Sequence, residues 1–167
     1  MKKSKNYTVK FKRKRKSKTD YKKRLELLKS KKPRIVIRKS SKTITSQLIN
    51  YETKGDKTLL LIKSSNLKVL GWKYNTKNSS SAYLTGLLLG TKAKKLNINE
   101  AIVDFGLQRL TKNSVLYATV NGIIDGGLKV PHNKKIIVPK ERILGLHINK
   151  DIQKNFEEVK NKILKND

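Results

Sequence analysis

The protein has 167 residues, of which 41 are lysine or arginine and 12 are aspartate or glutamate, so that its formal net charge is +29. Such a charge attracts polyanions, and binding to nucleic acid gains strength as condensed counterions are released. The absence of cysteine excludes disulfides, thiolate metal sites and cysteine nucleophiles, and it fits a reducing compartment. The N-terminus lacks the apolar core of a signal peptide, and the longest apolar stretch, 82–90, is too short to span a bilayer, so that we expect no membrane partner.

The positive charge is concentrated at the N-terminus. Residues 1–42 contain 20 basic and 2 acidic residues, a net +18, whereas residues 43–167 contain 21 and 10, a net +11. Residues 1–18 have too few apolar side chains to offset the entropy of ordering, and their like charges repel one another. We therefore predict a long basic arm that lacks regular structure alone and becomes ordered on a polyanion.

A short helix and three strands follow the arm. Residues 20–30 favour a helix, in which Thr19 or Asp20 caps the N-terminus and which ends before Pro33. Strand-like segments then lie at 34–38, 43–51 and 57–63. The run Leu59–Ile62 is typical of a buried strand, and the short links between the strands predict antiparallel hairpins.

The second half of the chain favours three helices and one strand. The clearest helix begins at caps offered by Ser79–Ser81 and ends at about Lys95. Its small residues Gly86 and Gly90 predict a face that lies close to a sheet, so that Gly86→Leu should destabilise the fold. The remaining elements are a strand at 101–105, a helix at 114–125 ended by Gly126 and Gly127, and a last helix at 150–165.

The order of these elements is βββαβα with one helix appended. This order indicates an α/β fold in which one mixed β-sheet is flanked by helices. We divide the chain into a basic N-terminal arm with its short helix (1–32), an α/β domain that carries the nucleic-acid-binding function (33–149) and a C-terminal helix (150–167).

The densest group of candidate binding residues lies in the arm. Its cations suit phosphate neutralisation, since arginine forks grip phosphate oxygens in pairs. They are Lys10, Lys12, Arg13, Lys14, Arg15, Lys16 and Lys18. A solvated charge run and a nuclear-import signal are two other interpretations of the same string, and the string alone does not distinguish RNA from DNA.

A second basic group lies on the first strand and its hairpin link. Alternation places Arg34 and Arg38 on one face of the strand and Ile35 and Ile37 on the other, which we assign to the core. The link adds Lys39, Ser40 and Lys42. The two arginines either extend the phosphate-binding surface of the arm or protect an exposed strand edge by their charge.

Two aromatic residues form a third candidate group. Trp72 and Tyr74 lie beside Lys73 and Lys77, and aromatic side chains among lysines can stack on unpaired bases. The other interpretation is that Trp72 belongs to the core, as single tryptophans often do.

The sequence offers little for catalysis. A metal-dependent nuclease needs several convergent carboxylates, and Asp104 and Asp125 have no such partners in a recognisable ligand spacing. His132 and His147 are fifteen residues apart and lack thiol partners, which leaves a structural zinc site unsupported. There is no glycine-rich phosphate loop and no nucleophile elbow. We expect no enzyme, no metal and no cofactor.

Several stretches resemble one known family in the order in which that family has them. They are FKRKRKSKTDYKKRLELL at 11–28, RIVIRKS at 34–40, AYLTGLLLG at 82–90, VDFGL at 103–107 and GIIDGGLKVPHN at 122–133. The sequence resembles the archaeal and eukaryotic branch of the large-subunit ribosomal proteins that bind 5S rRNA (universal large-subunit family eighteen). The ending ERILGLHI at 141–148 is similar to the archaeal members.

The resemblance implies a non-catalytic protein of the cytoplasmic ribosome. Its fold would be a sheet flanked by helices with ribonuclease H-like topology but without that active site. Its partners would be 5S rRNA, the large-subunit rRNA in the central protuberance and neighbouring large-subunit proteins. The matching stretches add Tyr21, Arg24, His132 and Asn133 to the expected RNA-binding residues. The alternative is a free nucleic-acid-binding or regulatory factor that uses the same arm.

Two positions depart from the family pattern. Ser17 stands where the motif usually has glycine, and Asn113 stands where glycine is common before Ser114. Asparagine tolerates a positive φ, so that we expect the loop at Asn113 to keep its shape. The change at Ser17 leaves the geometry of the arm's junction open.

Overall fold

The computed structural model describes residues 8–133, 137–149 and 151–165. Residues 1–7 of the predicted arm and Lys150 at the predicted start of the last helix lie outside these ranges. The helices are α1 (Lys12–Arg15), α2 (Tyr21–Lys29), α3 (Ser79–Lys95), α4 (Val115–Asp125), α5 (Lys140–Leu144) and α6 (Asp151–Lys165), with a 3₁₀ turn at Ser64–Lys68. None of the helices described is long and apolar enough to cross a membrane.

Four strands form one mixed sheet in the order β3-β2-β1-β4. They are β1 (Arg34–Lys39), β2 (Ile44–Glu52), β3 (Gly55–Lys63) and β4 (Ile102–Asp104). The first three pair antiparallel through short links, as predicted, and β4 lies parallel to β1 after the crossover through α3. The mixed α/β architecture with its flanking helices is therefore confirmed, and α1, α5 and the 3₁₀ turn are additional elements that the sequence pattern did not indicate.

The core lies between one face of the sheet and the layer formed by α3, α4 and α6. Ile35 and Ile37 are fully buried, which confirms the face assigned to them. They pack in one cluster with Leu84 and Leu87 of α3 and Ile123 of α4. Because side chains alternate along a strand, Arg34 and Arg38 lie on the opposite face of the sheet, away from this helix layer.

The glycines of α3 bring two helices together and not, as predicted, a helix and the sheet. A Cβ built on Gly86 would overlap the carbonyl oxygen of Thr119 on α4, and one on Gly122 of α4 would overlap the carbonyl oxygen of Tyr83. A Cβ on Gly90 would lie 2.7 Å from the carbonyl oxygen of Ile123. The close face of α3 is real, but its partner is the backbone of α4.

Two other local predictions need correction. Ser79–Ser81 are inside α3 and buried, and its N-cap is Asn78, whose side chain accepts a hydrogen bond from the Ser81 amide at 2.8 Å. The segment Leu59–Ile62 is on an edge strand and is not buried throughout, because Ile62 faces the core whereas Leu61 is 49% exposed. The predicted strand at 101–105, the helix 114–125 and the last helix agree with β4, α4 and α6 to within about two residues at each end.

Candidate nucleic-acid interface

The arm is partly folded in the described range. The prediction that it lacks regular structure is wrong for α1, where the Lys18 amide donates to the Arg13 carbonyl at 2.9 Å and the Ser17 amide to the Lys14 carbonyl at 3.1 Å. These two bonds form the Schellman motif that ends many helices. The motif requires a left-handed residue, and Ser17 takes that role with φ 49°. The arm keeps its turn with serine at the position where a glycine was expected.

Two contacts hold this turn against the helix that follows. The rings of Phe11 and Tyr21 lie 5.2 Å apart between centroids. The Nε of Arg13 donates to the Oγ1 of Thr19 at 2.8 Å. Local contacts therefore offset part of the repulsion between the charges. All the arm cations named from the sequence remain exposed; they are Lys10, Lys12, Arg13, Lys14, Arg15, Lys16 and Lys18.

The N-terminus of α2 is capped by Asp20 and not by Thr19. The Oδ1 of Asp20 accepts hydrogen bonds from the amides of Lys22 at 3.0 Å and Lys23 at 3.2 Å. A carboxylate at this position also interacts favourably with the helix dipole. The cap gives a structural reason for an acidic residue in the middle of a basic segment.

We expect Asp20→Ala to weaken the first turn of α2 by about 0.5–2 kcal/mol, because the amides of Lys22 and Lys23 lose their acceptor. Hydrogen exchange at these two amides measures the effect. Asp20→Asn is the matched control, since asparagine caps helices about as well but carries no charge. Protection should be lost in the alanine variant and largely kept in the asparagine variant. Equal loss in both variants would show that charge, and not capping, is what Asp20 contributes.

A chain of ion pairs joins α2 to the sheet. The Nη2 of Arg24 lies 2.9 Å from both carboxylate oxygens of Asp56, whose Oδ2 also accepts from the Nη2 of Arg34 at 2.7 Å. Arg34 reaches Asp104 at 3.5 Å through Nη1, and Asp104 lies 3.5 Å from the Nη2 of Arg38. Residues from α2, β3, β1 and β4 thus share one network on the sheet face opposite the helix layer.

This network overturns both predictions made for Arg34. Its side chain is 2% exposed and is paired with two carboxylates, so that it cannot contact a phosphate at the surface. The strand edge interpretation is also wrong, because β1 lies between β2 and β4. The sequence pattern gave the face of Arg34 correctly but could not show that α2 and two acidic residues would cover it.

A β-bulge brings Asp56 to this face. Leu48 pairs with Leu60, but the next residue, Ile49, pairs with Thr58, so that Leu59 is an extra residue in β3. An extra residue reverses the alternation of side chains beyond it. Leu60 therefore faces the core side, and Asp56 faces the arginines. Burial alone would raise the pKa of Asp56, but hydrogen bonds and charges from Arg34 and Arg24 outweigh it and hold the pKa below the usual value.

A polar cleft of about 150 Å³ lies where the arm meets this network. Five cations line it, together with the carboxylates of Asp20 and Asp104. The cations are Arg13 and Lys18 from the arm, Lys23 and Arg24 from α2 and Arg38 from β1. Arg38 is held in place because its Nη1 donates to the Asp104 carbonyl at 2.8 Å, and its side chain is still 42% exposed. Convergent cations of this kind can hold an oxyanion such as a phosphate group.

Lys23 is a cleft residue that the sequence analysis missed. It is exposed, and its Nζ lies 3.5 Å from the carbonyl oxygen of Gly106. The signal for it was present, because Lys23 and Leu27 are four residues apart on one face of a predicted helix and both line the cleft. Gly106 lies just after β4, has a φ of 60° and lines the cleft beside the guanidinium of Arg38.

The β1–β2 hairpin, which follows the cleft residue Arg38 in the chain, carries further cations. Lys39, Ser40 and Lys42 are exposed. Gln108 fixes the end of β1, since it accepts from the Lys39 amide at 3.0 Å and donates to the Ile37 carbonyl at 2.9 Å. The turn closes through the Oγ of Ser40, which bonds both the amide and the carbonyl of Thr43. The cations at this end of β1 are presented on a defined backbone.

The remaining predicted residues lie elsewhere. The stacking interpretation is wrong for Trp72, which is buried in the core with its Nε1 donating to the Asn75 carbonyl at 3.1 Å. Tyr74 packs edge-on against it, with centroids 5.6 Å apart. His132 and Asn133 are exposed beside β4 and line a different pocket from the cleft. Tyr21 is half-buried against Phe11, and Arg24 is engaged by Asp56.

The two acidic residues considered for catalysis are occupied in structural contacts. Asp104 belongs to the arginine network, and Asp125 accepts from the Tyr83 hydroxyl at 2.6 Å. Within residues 8–133, 137–149 and 151–165, no three histidine, aspartate or glutamate side chains are grouped so as to hold a metal ion.

Comparison with known proteins now gives the family. A profile of the ribosomal large-subunit proteins 60S L5 and 50S L18 matches residues 5–101. The chain belongs to this family. The large ribosomal subunit protein uL18 of Korarchaeum cryptofilum is 45% identical over 158 residues, which cover 95% of this chain and 81% of that protein. The uL18 protein of Methanococcus maripaludis is also 45% identical, over 152 residues that cover 91% of this chain and 76% of that protein. The resemblance to family eighteen and to its archaeal members is therefore confirmed.

Proposed function

We propose that the protein is a structural, non-catalytic component of the large ribosomal subunit in the cytoplasm, which binds 5S rRNA and attaches it to the large-subunit rRNA in the central protuberance. Family membership supports the ribosomal role. The geometry supports RNA as the ligand, because the arm cations and those of the β1–β2 hairpin are exposed and the cleft between the arm and the sheet is lined by further cations. Neighbouring large-subunit proteins would complete the set of partners.

The observation that carries this proposal is the way in which the arm is joined to the domain. A merely solvated charge run would need no fixed position. Here Asp20 caps α2, and Arg24 ties α2 to the sheet through Asp56, so that the cations on both sides of the cleft face the same space. Preorganised donors lose less entropy on binding than mobile ones. We assign the phosphate contacts to the arm cations, Lys23, Arg38, Lys39, Ser40 and Lys42, and we keep Tyr74, His132 and Asn133 as candidates for contacts with bases.

Two measurements test the proposal. The protein should bind a 5S rRNA transcript more tightly than an RNA of equal length and scrambled sequence, at a salt concentration that weakens non-specific contacts. It should also stay with the large subunit when particles are washed at high salt. A factor that works away from the ribosome would be released by that wash, and equal affinity for both RNAs would contradict a 5S rRNA role.

The proposed role of the arm predicts how RNA affinity depends on salt. Arg15 is exposed and lies in α1, so that Arg15→Ala should remove about one phosphate contact without unfolding the domain. The slope of log K against log salt should become shallower by about 0.7–0.9. Lys154→Ala is the matched control, because it removes one exposed charge on α6, away from the arm. An unchanged slope for Arg15→Ala, or an equal change for both variants, would mean that the arm is not the phosphate grip.

A further inference from the structure

An apolar groove lies in the helix layer, on the side of the sheet away from the arm. It has a volume of about 630 Å³ and runs between the 3₁₀ turn, the C-terminal half of α3 and the end of α6. Six of its lining residues are apolar: Leu60, Val69, Leu70, Leu88, Leu96 and Ile163. Val69 is 90% exposed and Leu96 is 48% exposed. Apolar side chains grouped in this way on a very polar protein indicate an interaction surface.

The groove presents these side chains on a fixed backbone. The amide of Val69 donates to the Asn66 carbonyl at 3.2 Å, and the amides of Leu70 and Trp72 both donate to the Leu67 carbonyl at 3.0 Å. Leu67 and Trp72 are buried in the core. The turn that carries Val69 is therefore held in place by the buried side chains of Leu67 and Trp72, and binding of a ligand would not have to order it.

The charge around the groove points to the chemistry of the ligand. Lys92 and Lys95 are among its lining residues, and none of the lining residues is acidic. Lys162 of α6 is close by, since its Nζ donates to the Leu70 carbonyl at 3.2 Å. We propose that this groove binds an acidic amphipathic segment of another protein, whose apolar face packs on Val69 and Leu96 and whose carboxylates lie beside Lys92.

Other occupants fit these observations less well. A second copy of a chain with net charge +29 would bring repulsion and no complementary charge. RNA would find cations, but its phosphates would lie over a mainly apolar floor. An acidic amphipathic helix satisfies both features, as in the helix-in-groove mode of recognition. The groove and the cleft lie on opposite sides of the sheet, so that both can be occupied at once.

The test uses the full-length protein without RNA, so that it is independent of the proposed RNA-binding function. The probe is a synthetic helical peptide with leucines on one face and glutamates on the others, and its control is the same composition in scrambled order. Methyl resonances of Val69 and Leu96 should shift with the amphipathic peptide, and fluorescence anisotropy should give it at least about tenfold higher affinity than the scrambled one. Equal binding of both peptides would overturn the proposal, because it would show charge attraction alone.

The decisive variant is Val69→Lys. It adds a positive charge but removes an apolar contact, so that docking in the groove predicts about tenfold weaker binding of the amphipathic peptide. Charge attraction alone predicts tighter binding, which would overturn the proposal. At 90% exposure the substitution should leave the melting temperature unchanged, and Leu96→Lys is the second variant in case it does not. Loss of 5S rRNA binding in Val69→Lys, or self-association of the native chain that this variant abolishes, would overturn the proposal by naming a different occupant.

Discussion

Gly86→Ala should lower the free energy of unfolding by about 1–3 kcal/mol, and by more if the helices cannot separate. A Cβ at this position overlaps the Thr119 carbonyl oxygen, which belongs to backbone and cannot rotate away. Alanine is a better helix former than glycine by about 0.5–1 kcal/mol, so that helix propensity alone would raise the stability. A loss of stability would therefore come from the clash with α4. Gly86→Leu, the larger substitution, should destabilise the protein further. Chemical denaturation of each variant gives the free energy of unfolding.

Lys92→Ala is the control for this prediction. It lies on the same helix but is exposed, so that its free energy of unfolding should change by less than about 0.5 kcal/mol. A melting temperature for Gly86→Ala equal to or above that of the native protein would contradict the close packing of α3 on α4.

Arg34→Met should cost about 1–3 kcal/mol, because Asp56 and Asp104 lose the buried cation that lies between them. The loss is partial, since Asp56 keeps its pair with Arg24 and Asp104 its contact with Arg38. The free energy of unfolding measures the loss. Lys39→Met is the matched control, since it removes an exposed cation from the same strand. We expect Lys39→Met to weaken RNA binding with little change in the free energy of unfolding. Arg34→Met should show the opposite pattern, a lower free energy of unfolding with little direct effect on RNA binding.

A triple variant distinguishes a structural cation from an RNA-binding one. Adding Asp56→Asn and Asp104→Asn to Arg34→Met neutralises the two carboxylates that Arg34 contacts and should recover part of the lost stability. If Arg34→Met instead unfolds like the native protein but loses RNA affinity, then Arg34 is a surface residue and the buried network described above is wrong.

The sequence predicted the sheet well because its signals are local. The alternation of Ile35 and Ile37 with Arg34 and Arg38 identified both faces of β1, and short links identified the hairpins. It could not say what each face packs against. The glycines of α3 indicated a close approach, but only the three-dimensional structure shows that the partner is α4. Contacts between residues distant in the chain leave no periodic signal.

The same limit applies to the binding surface. Exposed cations in the arm followed from composition, whereas Arg34 and Trp72 look the same in sequence whether buried or exposed. The burial of Arg34 depends on Asp56, which faces it only because the bulge at Leu59 reverses the alternation of side chains along β3. At Ser17 the resemblance indicated serine in place of the usual glycine, and the structure shows that serine adopts the left-handed conformation there.

The arginine network has a consequence for the order of events during synthesis. Arg24 pairs with a carboxylate 32 residues further along the chain, and Arg38 contacts a residue 66 positions later. Translation proceeds at about 5–20 residues per second, so that β4 follows Arg38 by roughly 3–13 seconds. During that interval the nascent arm is exposed, but β4, whose Asp104 lines the cleft beside the arm, has not yet been made. We expect the newborn chain to meet polyanions first through an unanchored arm, and to gain selectivity only when Asp104 has left the exit tunnel.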